Sequence, residues 1–212
     1  MFAVHTCSNP NCQNSSLSFF DKNSVMHYGQ NLCINHCIDV EKAKKDIIQY
    51  IENNDKIIGI SASGMSFSNL DLSNKKFYGC NFQNCNFTNI NFESCRVRIS
   101  MFDFSTFSDC NMINSNIQYA SFAGSTMSHI LFTNSDLVHN NFCGIKAFQS
   151  SFDDSDLYNS RFIKSYLANT SFRNCNIKKT IFYEMEQLNV SFKLSNTREA
   201  LFSKDTNAEE LI

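Results

Sequence analysis

The chain has 212 residues, 18 Lys and Arg against 20 Asp and Glu, and a formal net charge of −2. That length predicts one elongated unit with a small head, and the near-zero charge argues against a strongly basic nucleic-acid footprint. No run approaches membrane-spanning length and no charged start with an apolar run precedes the first cysteine, so the expectation is a cytoplasmic chain with no membrane partner.

Residues 1–38 form the predicted head. Cys7, Cys12, Cys33 and Cys37 lie here, with His5, His27 and His36 among them. Cys7-x4-Cys12, then twenty residues, then Cys33-x2-His36 pairs two ligand turns across a short segment. Tetrahedral zinc takes four soft N or S donors, which two knuckles joined by a hairpin supply. Leu32-Cys33-Ile34-Asn35-His36 looks like the second half of a small Cys3His zinc knuckle, with Asn9-Pro10-Asn11 as the tight turn of the first. The predicted ligands are Cys7, Cys12, Cys33 and His36. Cys37 in place of His36, or substitution by His5 or His27, stays open, as does a set of unconnected cysteines. A closed four-ligand site would be a folding staple for a head too small to hold a core, not a catalytic centre.

Residues 39–61 are read as a capping helix and a lead-in strand. Asp39 is an N-cap residue type, and Val40, Ala43, Ile47, Ile48 and Ile51 form one apolar stripe to about Asn53. The helix is expected to lie over the near end of the segment that starts at residue 62, helped by Ile57, Ile58 and Ile60, with binding of a partner helix as the alternative.

From 62 to 202 a large apolar residue recurs every fifth position: Phe67, Leu72, Phe77, Phe82, Phe87 and onward to Phe202, twenty-eight positions broken only at Ala147, Gln187 and Thr197. A helix needs a period of 3.6 and a flat strand a period of 2, so five fits neither. Such repetition means stacked units that bury their apolar faces against one another. Two residues before most anchors stands a small residue, as at Cys80, Cys95, Ser105, Ser125 and Thr180, often followed by Asn, Asp or Ser.

Units such as Cys80-Asn81-Phe82, Cys85-Asn86-Phe87, Ser135-Asp136-Leu137 and Cys175-Asn176-Ile177 resemble the A-(D/N)-(L/F)-x-x unit of the pentapeptide-repeat family, over about two-thirds of the chain. The resemblance implies an all-β fold: a right-handed quadrilateral parallel β-helix, four pentapeptides to a coil and about seven coils, here with a zinc-knuckle head and one capping α-helix. Sorting the anchors by twenty supports four units per turn. One stack is an unbroken ladder, Phe82, Phe102, Phe122, Phe142, Phe162, Phe182 and Phe202, and another is largely aliphatic after Phe77. Ala147 and Gln187 fall in one stack, each two residues after a large side chain, Ile145 and Met185. A volume-conserving swap explains that, and a register slip onto Phe148 or Leu188 is the alternative.

Cys80, Cys85, Cys95, Cys110 and Cys175 occupy the small inward slot as compact hydrophobes, and Cys143 is the expected exposed one; all six are expected reduced. The tail, 203–212, is too short for a stable helix, and an uncapped end invites a homodimer through the C-terminal coil. No phosphate loop, nucleophile elbow or metalloprotease motif occurs. Asp153-Asp154 and Glu184/Glu186 read as solvated surface, and His129 and His139 as outward and solitary. The expected function is a non-catalytic structural or interaction module with an unidentified protein partner. By the resemblance, an alternative is a DNA mimic that protects or inhibits a type II topoisomerase. That needs strongly negative faces, whereas 62–202 holds twelve basic and eleven acidic residues. A second alternative is nucleic-acid binding through the head beside a patch of Lys75, Lys76, Arg96 and Arg98, which the neutral head makes a weak reading.

Overall fold

A computed structural model describes residues 5–21, 25–27 and 31–203. The five-residue period becomes a parallel β-solenoid with four sides. One side is a seven-stranded parallel sheet running from Ser66–Asp71 to Glu186–Leu188. Its pairing advances by twenty residues per rung: Phe67 lies on Phe87, Phe87 on Phe107, Met127 on Ala147, Ala147 on Leu167. The rungs reach back into the predicted lead-in strand, because Lys56–Ile58 already pairs with Lys76–Tyr78.

Each unit turns its corner two residues after the anchor, and among the described residues the backbone is left-handed at 24 non-glycine positions, one of them Asn11 in the head and the rest at these corners. Asn is frequent there because it tolerates that region, whereas β-branched Ile99, at φ 51°, is strained. The corners leave carbonyls without strand partners, and the small slot supplies donors. Ser105 Oγ donates to Phe82 O at 2.8 Å, Ser125 Oγ to Phe102 O at 2.8 Å, and Cys95 Sγ to Leu72 O at 3.0 Å. Asn side chains link rungs outside, as from Asn111 Nδ2 to Asn91 Oδ1 at 3.1 Å.

The interior is filled. The predicted Phe82 ladder stacks at centroid spacings of 5.4, 4.9, 5.2, 4.8, 5.1 and 5.0 Å, ending on half-buried Phe202. Register holds at both irregular coils. Ala147 is a fully buried anchor, with buried Ile145 filling the space beside it. Gln187 stays opposite Leu167 but is exposed, with Met185 packed against the core in its place.

Helix α1 spans Val40–Asn53, and Asp39 caps it by accepting from Lys42 N at 2.9 Å. Ile47 and Ile51 are buried, and Ile48 and Ile51 line the end of the rod's interior beside Phe67 and Phe77. The helix therefore caps the first coil, as its stripe predicts. Of its expected helpers, Ile57 and Ile60 are buried, but Ile58 is 38% exposed because the alternation of the strand turns it outward. The head docks on the same end: Ser18 N donates to Ser61 O at 2.8 Å, Ser61 Oγ to Ser16 O at 2.6 Å, and Ile34 packs over Gly64. Among the described residues no helix is long and apolar enough to cross a membrane. Residues 204–212 of the predicted tail lie outside the described residues.

Candidate metal centre in the head

The first knuckle is a tight turn. Cys12 N donates to Asn9 O at 3.1 Å, and Asn11 takes the left-handed conformation at φ 66°. An antiparallel bridge between Thr6 and Ser15 closes its base. A short hairpin comes next, β1 (Phe19–Phe20) against β2 (Met26–His27). The second knuckle is a helical turn in which His36 N and Cys37 N both donate to Cys33 O, at 3.0 and 2.8 Å.

These turns bring the Sγ atoms of Cys7, Cys12 and Cys33 and a ring nitrogen of His36 within 4.8 Å of one another. Cys12 and Cys33 sulfurs lie 3.7 Å apart, and His36 Nδ1 is 3.5 Å from Cys7 Sγ and 3.3 Å from Cys33 Sγ. Zinc bonds of about 2.3 Å to sulfur and about 2.0–2.1 Å to nitrogen give tetrahedral edges of about 3.8 Å (S–S) and about 3.5 Å (S–N). The donor set and its spacing therefore fit a tetrahedral metal ion. Cys7 and Cys33 are buried and Cys12 half-buried, while His36 is the most exposed of the four, so the site sits at the head's surface with its sulfurs turned inward.

Backbone N–H groups support the sulfurs, from Cys33 at 3.3 Å and Asn9 at 3.5 Å to Cys7 Sγ, and Asn14 Nδ2 lies 3.8 Å from Cys33 Sγ. Burial raises the Cys7 thiol, but the N–H groups of Cys33 and Asn9 and the His36 ring outweigh it and hold it below its ordinary value. Cys33 is lowered in the same way: burial raises it, and the Asn35 N–H and the neighbouring thiols outweigh that. At Cys12 the Asn14 N–H lowers, while burial and the two other thiols win and raise it. Three thiols this close repel one another once ionised, and a bound dication would relieve that repulsion.

The alternative ligands do not join the four. Cys37 packs against the hydrophobic core, and His27 sits 3.1 Å from Asp21. The supporting role of Asn14 escaped the sequence, its only signal being a position two residues after a ligand. The expected basic patch also changes membership. Lys75 Nζ donates to Glu52 O and Asn54 O, at 2.9 and 3.0 Å, at the C-terminal end of α1, where a cation satisfies free carbonyls. Lys56 takes its place, in register with Lys76 and Arg96.

The histidines of the rod are not solitary. His129 Nδ1 lies 3.2 Å from Asp109 and its Nε2 2.9 Å from Gln149, while His139 stacks on Tyr119 at 4.9 Å. The acidic pairs serve the rungs: Asp153 accepts from Arg173 N, Asp154 from Asn174 Nδ2, and Glu184 pairs with Lys164 at 3.5 Å.

The family model for pentapeptide repeats matches residues 59–98 and 150–184, in eight copies. Those two segments match the family's repeat, and the coils between them keep the same twenty-residue pairing. A search of the curated proteins finds no match. Among solved structures the chain is similar to a pentapeptide repeat protein, Rfr23, from the cyanobacterium Cyanothece 51142, at 12% identity, over 77% of this chain and 97% of that one, with a TM-score of 0.39. It is similar to QnrB1, a plasmid-mediated fluoroquinolone resistance protein, at 15% identity, over 70% and 92%, with a TM-score of 0.37. HetL, a pentapeptide repeat protein involved in heterocyst differentiation regulation in the cyanobacterium Nostoc, is similar at 11% identity, over 76% and 98%, with a TM-score of 0.28.

Proposed function

We propose that this chain is a non-catalytic interaction module of the cytoplasm: a filled rod that offers flat faces to a protein partner, stapled at its N-terminal end by a structural zinc ion on Cys7, Cys12, Cys33 and His36. The observation that carries the first half is the filled interior. Its void is about 20 Å³ and has a wholly apolar lining, against the roughly 300–1,000 Å³ of ordinary ligand pockets. Larger hollows lie outside the rod's interior, as an open groove of about 630 Å³ on the helix surface against Glu41, Lys44 and Glu52 and one of about 410 Å³ between head and rod beside Ile34 and Gly64. What remains for function is the outside of a stiff scaffold. The zinc half rests on the donor spacing above. Ten unpaired cysteines support a reducing compartment.

Near-neutral charge on the rod weighs against DNA mimicry, since duplex phosphates place a charge every few ångströms. The test adds purified protein to a quinolone-inhibited type II topoisomerase and, separately, to labelled duplex and single-stranded DNA. Neither protection nor salt-sensitive binding is expected. Protection would replace this reading with the DNA mimic, and tight salt-dependent binding would replace it with a nucleic-acid role for the head.

A further inference from the structure

The side of the rod built on Val97, Ile117 and Leu137 carries charge in two blocks of opposite sign. In the outward column just before those anchors, Lys56, Lys76 and Arg96 stack in register over the first three rungs. Asn116 comes next, and then Asp136 and Asp156, again in register. The three cations are exposed, and among the described residues none forms an ion pair. Stacking like charges directly over one another at about 4.8 Å costs stability. The fold does not require the three cations, because the same slot elsewhere holds Asn81, Asn91 or Asn111, whose side chains bond between or within rungs, as the half-buried Asp136 and Asp156 also do by accepting from Gln118 Nε2 and from Tyr158 N and Asn176 Nδ2.

We infer that this face is the interface of an antiparallel two-fold dimer of this chain. A two-fold axis along the strand direction through Asn116 lays the face on its own copy with the rung order reversed. Arg96 then stands opposite Asp136 of the second copy, and Lys76 opposite Asp156. The adjoining corner reverses just as well: Gly79 meets Asn159, Ile99 meets His139, and Tyr119 meets itself, so no like charges are opposed there. A parallel arrangement with the axis along the rod brings Arg96 against Arg98, so the same charges that favour one orientation reject the other. The face is about seven rungs long, or roughly 30 Å, which makes an interface smaller than the standard size. The dimer is therefore weak, roughly micromolar, and falls apart as salt screens the pairs. This stands independently of the zinc site and of any other partner.

Sedimentation velocity of the full chain tests it. Wild type sediments as a dimer at low salt and as a monomer at high salt. The pair Lys76→Glu/Arg96→Glu abolishes the dimer, and so does Asp136→Lys/Asp156→Lys. The slot already accepts Lys and Arg on other rungs, so both variants are expected to keep the β circular-dichroism signal. An equimolar mixture of the two variants forms a heterodimer, because one face is then acidic except for Lys56 and the other is wholly basic. A wild type that stays monomeric at every concentration overturns the inference. So does a mixture that stays monomeric, or a dimer that survives both reversals, which would place association elsewhere, as at the C-terminal coil.

Discussion

The inward slot two residues before most anchors holds Ser, Thr or Cys for two reasons, and only one is visible in sequence. Smallness shows in the pattern; the hydrogen bond to a corner carbonyl does not, because it depends on an oxygen 23 residues earlier, as with Cys85 Sγ and Ala62 O at 3.1 Å. Burial pushes the Cys80 thiol up to about 11 and the Cys85, Cys95 and Cys175 thiols up to about 12, against 9.0 for a free thiol. Between those values the unfolded chain gives up protons that the folded chain keeps. Their contribution to stability is full below pH 9 and is lost as pH rises toward 12. A melting temperature that falls more steeply above pH 9 than in a Cys85→Ser/Cys95→Ser/Cys175→Ser variant checks this; identical slopes would refute it. The corner residues give a second residue-scale expectation. Replacing Ile99 by Asn relieves a strained left-handed Ile and is expected to raise stability by about 1 kcal/mol, read by urea denaturation.

At the scale of the coil, the sequence left two readings at Ala147, a swap of volume or a slip of register. The pairing of Met127 with Ala147 and of Ala147 with Leu167 decides for the swap. A period cannot settle this by itself, since Phe148 is an equally good anchor by composition. Ile145→Ala opens a hole that costs about 2–5 kcal/mol, and Ala147→Leu alone overpacks by about 1–3 kcal/mol. Ile145→Ser with Ala147→Leu restores the pattern of the neighbouring rungs, Ser125/Met127 and Ser165/Leu167. The double variant should lie within about 1.5 kcal/mol of wild type by chemical denaturation. A cost equal to the sum of the Ile145→Ser and Ala147→Leu single variants would mean the coil is not a compensated pair. The helix was legible from its cap and stripe, whereas Lys75 was not. The repeat places Lys75 in the small inward slot, yet on the first coil that slot opens toward the carbonyl end of α1.

The whole molecule joins a rod legible almost residue by residue to a head legible only as a set of metal-ligand residue types. Strict repetition gives the rod many independent statements of one rule, whereas the head states its ligands once, and only three-dimensional closeness separates His36 from Cys37. The head also lies on the first coil through Ser16, Ser18 and Ile34, so a metal ion held there would help keep the cap in place. A metal-stapled head on a self-sufficient rod can be tested in one experiment: the zinc content of the purified chain, measured together with thermal unfolding before and after chelation and in Cys33→Ser. One zinc per chain is expected, and after chelation an early transition of the head and cap while the β signal of the rod persists to higher temperature. No bound metal, with melting unchanged by chelation and by Cys33→Ser, would contradict it.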